Sequence, residues 1–115
     1  MSIPVKLEDL GRVMTEYGSA VLCTLSPGPR VKVHTVDPVL EDGVLVLRMQ
    51  GRGSARNLES NDQATIVWQP LARHGYTLIV DGRGVGSPDG VRVVPDQAML
   101  HRPAAHADGP ASTYP

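Results

Sequence analysis

"AVLCTLSPGPRVKVHTV", Ala20 to Val36, is the stretch that decides the fold. With Ser19 in front, "SAVLCTL" is a nearly continuous apolar run of strand length, the pattern of a strand buried on both faces. "SPGP" is turn chemistry, because proline presets one dihedral and glycine permits a positive one. "RVKVHTVD" then alternates. Val31, Val33 and Thr35 fall on one face and Lys32, His34 and Val36 on the other, giving one apolar and one mixed face. Two strands joined by so short a turn pair antiparallel.

The device repeats downstream. In "PVLEDGVLVLRM", Pro38 to Met49, the dipeptide Asp42-Gly43 between apolar runs is a hairpin signal. "GRGSARNLESN", Gly51 to Asn61, follows as a glycine-rich loop and a short helix over roughly residues 54–60. "ATIVWQ" (64–69) and "YTLIVDGRGVG" (76–86) read as strands, the glycines of the second marking a bend or bulge. "SPDG" turns the chain into "VRVV". Upstream, Leu7, Leu10, Val13, Met14 and Tyr17 recur at helical steps, and Gly18 stops that helix.

From Pro95 onward the chain is more polar. "DQAMLH" (96–101) reads as one or two helical turns, and the closing "HADGPASTYP" as a mobile end. The expected architecture is mainly β, a six-stranded, largely antiparallel barrel with short helices, closed so that no edge is exposed. Residues 1–95 form the domain and 96–115 a partly mobile tail.

Composition narrows the function. The chain has 115 residues, a one-domain length that favours an oligomer. Eleven Lys and Arg against 12 Asp and Glu give no electrostatic case for nucleic acid or an anionic membrane. Three tyrosines and one tryptophan, with no phenylalanine, are too few to stack single-stranded bases. Cys23 is alone, so no intrachain disulfide forms and a cytoplasmic setting is expected. No signal-peptide pattern opens the chain, and no apolar run approaches the roughly 20 residues of a membrane helix.

Four pieces in order carry a resemblance: "AVLCTLSPGPRVKVHTV", "LEDGVLVLRM", "GSARNLESNDQATIVW" and "LIVDGRGVG". Over about residues 7–94 the sequence is similar to the split β-barrel flavoproteins related to pyridoxamine 5'-phosphate oxidase. That group includes relatives using the deazaflavin F420. The resemblance implies an FMN-binding split-barrel fold and a homodimer with the site at its interface. It places the cofactor phosphate at the loop and helix of "GRGSARNL", with Arg48, Arg52, Ser54 and Arg56 as candidates. It sets the ring against His34, Thr35 and Val36, Lys32 nearer the mouth, and Trp68 as a wall from the partner subunit. Elementary physics agrees about the loop, because a helix N-terminus with basic neighbours attracts anions. One departure is Ser54, where relatives often carry a lysine.

The rival readings are plainer. The arginines are solvated charges, His34 is a surface or dimer-contact histidine, and Cys23 is a small apolar residue. His101 and His106 lack the spacing of a zinc site, so no metal is expected. "DGRGVG" lacks the third glycine and the following helix of a dinucleotide fingerprint. No Ser-His-Asp set or paired carboxylates appear, so catalytic residues are not identifiable and the chemistry would belong to a cofactor. The expected function is an FMN- or F420-dependent oxidoreductase passing hydride to or from a small organic substrate. The alternatives are a non-catalytic FMN, F420 or haem carrier, and a split barrel that has lost its cofactor.

Overall fold

The structure, a computed structural model, covers all 115 residues. Its strands are β1 (Ser2–Val5), β2 (Ala20–Ser26), β3 (Arg30–Val36), β4 (Val39–Glu41), β5 (Val44–Arg48), β6 (Gln63–Trp68), β7 (Thr77–Ser87) and β8 (Gly90–His101). Between them lie α1 (Leu10–Met14), entered through a 3-10 turn at Leu7–Asp9, and α2 (Gly53–Ser60). One sheet runs β3-β2-β6-β7-β8-β5-β4, with β1 added on β8, and every ladder is antiparallel. The architecture is the expected mainly-β, antiparallel one.

The hairpins follow their turn chemistry. Asp42 and Gly43 hold φ of 51° and 77°, and Gly28 holds 99°, all left-handed conformations that tight turns require. The β7–β8 hairpin dominates the sheet and is bent at a bulge between Asp81 and Gly82. A side chain at Gly82 would collide with the Val94 carbonyl, so glycine is what the bulge permits. Beyond the bend, β8 pairs β5 through Val93 and β1 from Ala98, both on its edge away from β7. This curls the sheet around one cluster of 20 buried side chains, including Leu22, Leu45, Ile66, Trp68 and Leu78.

Four expectations need correction. The sheet has eight strands rather than six. The four residues of β1 and three of β4 are too short to show alternation. The ladder also does not close, so β3 and β4 remain as edges. The helix expected over "DQAMLH" is strand, part of β8: Ala98 and Leu100 point inward at 5% and 3% exposure while their neighbours face out. The domain therefore runs past Pro95. Finally, the end expected to be mobile is packed down. Tyr114 is buried, its hydroxyl donates to Asp9 and accepts from the Lys6 amide, and Thr113 donates to Glu16. No helix is long and apolar enough to cross a membrane.

Candidate functional site

Strand β2 is buried on one face only. Ala20, Leu22 and Thr24 point into the core, and across the ladder they face Val36, His34 and Lys32. The mixed face of β3 therefore turns inward over the barrel, and the apolar face, Val31 and Val33, turns out to solvent at 62% exposure each. Thr35 lies on that outer face opposite Val21, while Val36 is buried.

Helix α2 docks on the mixed side. Asn57 donates its amide to the buried Thr24 hydroxyl at 3.1 Å. The glycines of "DGRGVG" admit the helix. A Cβ at Gly84 would sit 2.9 Å from Leu58, and one at Gly86 2.9 Å from Ala55. Leu58 and Ala55 are buried by this approach.

That docking brings α2's N-terminus under β3. A Cβ at Gly53 would lie 2.8 Å from Lys32 Cε and 3.1 Å from Lys32 Nζ. The lysine stem thus crosses the first residue of the helix, and its ammonium lies beside the end whose N–H groups have no intrahelical partner. Arg52, the residue before the helix, makes no side-chain cap bond; its guanidinium donates to the Ser87 carbonyl at 2.9 Å, fixing it beside the same terminus. Ser54 is 2% exposed, and its hydroxyl is buried without a hydrogen-bond partner. A buried hydroxyl left unpaired is costly, so this is a donor without its acceptor. Arg56, one turn on, is exposed; its amide donates to the Arg52 carbonyl, and its guanidinium has neither ion-pair nor hydrogen-bond partner.

The structure thus brings Lys32 and Arg52 to α2's N-terminus, with the buried Ser54 and the exposed Arg56 on the same short helix. Two expected site residues lie elsewhere. Arg48 is committed to Glu41 at 3.8 Å and Asp89 at 3.4 Å. Asp89's carboxyl is held below its usual range, first by the Ser87 hydroxyl and in smaller part by Arg48. Trp68 is 1% exposed and fills the core between Ala20 and Leu78 rather than walling a site. Gly53 escaped the sequence reading altogether. Its bare Cα seats the lysine, and nothing local announces that. Cys23, half-buried, has its thiol pKa raised by burial, as expected of an inert apolar residue.

Arg48→Ala is expected to change the affinity for a phosphate-bearing ligand by less than about fivefold, since the guanidinium is engaged by Glu41 and Asp89 away from α2 and an exposed charge contact is worth about 0–1 kcal/mol. Titration of parent and variant checks this.

The edge of β3 opposite β2 has no strand partner, so backbone N–H and C=O groups near His34, Thr35 and Val36 are free to meet a ligand. The basic cluster sits on open surface. A cavity of about 270 Å³ lies instead near the start of β7, between α1, residues 70–76 and the C-terminal segment; α2 packs at the far end of β7.

No protein-family model matches the chain. It is 34% identical over 117 residues to the uncharacterized proteins Mb0449c of Mycobacterium bovis and MT0457 of Mycobacterium tuberculosis, covering 88% of this chain and 82% of each relative. Among solved structures it is similar to a FAD-binding protein of Mesorhizobium loti, with TM-score 0.64 and 12% identity over 90% of this chain and 98% of that one. A FAD-binding protein of Mycobacterium smegmatis follows at TM-score 0.57 and 16% identity, covering 89% and 100%. A candidate 5-nitroimidazole antibiotic resistance protein of Bacteroides thetaiotaomicron matches at 0.60 and 11%, covering 87% of both chains. At these identities the likeness is one of fold alone, a split barrel.

Proposed function

The chain belongs to the family of Mb0449c and MT0457, and on that premise we propose that it binds a flavin or the deazaflavin F420 and serves as an oxidoreductase on a small organic substrate. The observation that carries this reading is the pair of cations at α2's N-terminus, Lys32 over Gly53 and Arg52 beside it, with the buried, unpartnered Ser54 hydroxyl in the first turn of the same helix. Ammonium, guanidinium, hydroxyl and helix N–H groups make a donor set suited to an oxyanion such as phosphate. The names of two fold neighbours, both FAD-binding proteins, support a flavin. Ser54 in place of lysine does not empty the site, because Lys32 delivers an ammonium from β3.

When bound, such a ring supplies hydride transfer; the chain's residues supply placement. Lys32, Arg52, Ser54 and Arg56 hold the anionic tail. The unpaired edge of β3 offers backbone donors and acceptors to the ring's polar rim. His34, half-buried, lies on the inner face of the same strand. A non-catalytic carrier is the second reading. It is favoured by the open setting of the cluster, which shares no residue with the 270 Å³ cavity.

A second copy of the chain completes this proposal. The outer face of β3, β2 and β6 carries Val31, Val33, Val21, Cys23, Leu25 and Val67 on one surface, none of them fully buried. A single chain leaves that stripe uncovered, and a dimer would bury it, on the face of the sheet opposite α2 and next to the free edge of β3. Sedimentation at micromolar concentration is expected to give twice the chain's 12.3 kDa. A monomer would remove the interface from the account.

The test of function is spectroscopic. Protein mixed in turn with FMN, F420 or haem and then desalted is expected to retain flavin or deazaflavin absorbance. Anaerobic reduction of the retained ring by a hydride donor separates the oxidoreductase from the carrier. Retention of haem alone would defeat the primary reading.

A further inference from the structure

The C-terminal segment crosses the end of the barrel remote from α2. Pro110 to Thr113 roof the 270 Å³ cavity, whose floor and walls include Tyr17, Leu71, Tyr76 and Leu100. Three fastenings hold the strap. Thr113 and Tyr114 bond Glu16 and Asp9, near its end. The Arg102 guanidinium, packed over the Tyr76 ring at 4.2 Å, donates to the carbonyls of Pro110 at 2.8 Å and His74 at 3.2 Å. The third fastening is made of titratable groups. The His74 and His106 rings stack at 3.9 Å and 9°, and His74 Nδ1–H donates to Asp108 Oδ1 at 2.7 Å.

The backbone is committed to this arrangement. His74 sits at φ 61°, a left-handed conformation unusual for a side-chain-bearing residue. A Cβ at Gly109 would collide with the His74 carbonyl, so the strap approaches the loop as closely as a chain can.

We propose that His74, His106 and Asp108 form a pH-sensitive latch, which holds the strap over the cavity near neutral pH and releases it when both imidazoles are charged. One proton is accommodated, because a charged His74 faces Asp108. A second puts two cations at stacking distance, where they repel. Asp108 faces both rings and offsets one of the two charges; the nearby Arg102 guanidinium, which donates to the His74 carbonyl, adds a further cation on that side. Asp108 is not the switch. Its carboxyl is held below the usual range, chiefly by the hydrogen bond from His74. Its contribution is therefore present above the ordinary carboxylate pKa and lost only as pH falls through that lowered value, outside the pH range of the test below.

Hydrogen exchange on the full chain at pH 7.5, 6.5 and 5.5, corrected for intrinsic rates, tests the latch. Opening that takes up one proton is favoured about tenfold per pH unit below the titration. Amides of residues 104–114 are expected to lose about tenfold protection between pH 6.5 and 5.5, while β2, β6 and β7 stay protected. His106→Phe, which keeps a stacked ring without its charge, is expected to abolish the step. Flat protection in the parent, parallel loss in the barrel strands, or a step that persists in His106→Phe would each overturn the proposal.

Discussion

Trp68→Ala is expected to destabilise the fold by about 3–5 kcal/mol, the range for emptying the site of a large buried aromatic. Trp68 is the largest fully buried side chain, between Ala20 on one neighbouring strand and Leu78 on the other. Its cross-strand neighbour Ala20 is too small to refill that volume. A domain of this size has only about 5–15 kcal/mol of total stability, so the variant should lose a large part of it. At about 4 °C per kcal/mol the midpoint should fall by about 12–20 °C in a thermal melt followed by circular dichroism. A shift under about 4 °C would mean the indole is not structural and would reopen a place for it beside a ligand.

Lys32→Ala is expected to weaken binding of a phosphorylated flavin or deazaflavin by about ten- to a hundredfold. A hydrogen bond to a charged group is worth about 1.5–3 kcal/mol, and about 1.4 kcal/mol is tenfold. Lys32 is exposed, so its removal should cost little stability. Gly53→Ala provides a second approach. The new methyl would crowd Lys32 Cε at 2.8 Å, a flexible side chain that can move away. The ammonium would be displaced, while alanine is a better helix former than glycine. Binding should weaken while the melting temperature holds or rises. Two variants that leave affinity unchanged would take Lys32 out of the site.

Much of the fold was legible because its signals are local. Asp42-Gly43 adopts the hairpin conformation its chemistry demands, and "SPGP" turns β2 into β3. What failed was non-local. Ser2 to Val5 becomes a strand only because β8 offers an edge to it, at His101 to Ala98. "DQAMLH" hid its two-residue period behind Pro95 and a bulge, and only its pairing with β7 and β1 reveals it. Tyr114 looked like part of a loose end until Asp9 and Lys6 met its hydroxyl.

The site shows the same division. The basic loop at a helix start was visible in "GRGSARNL", but which cations serve it was not. Arg48 reads like its neighbours in sequence, yet Glu41 and Asp89 claim it. Lys32 reads as a strand residue near a mouth, yet the ladder and the docking of α2 carry it over Gly53.

The central claim is that α2's N-terminus, with Lys32, Arg52 and Ser54, holds the phosphate of a flavin-type cofactor. Paired titrations of FMN against riboflavin, and of F420 against its tail-free deazaflavin, test it most directly. In at least one pair the phosphorylated ligand is expected to bind at least about tenfold tighter, the minimum for one charged hydrogen bond. That preference should shrink in Lys32→Ala. Equal affinity within both pairs, or a preference that Lys32→Ala leaves untouched, would contradict the account.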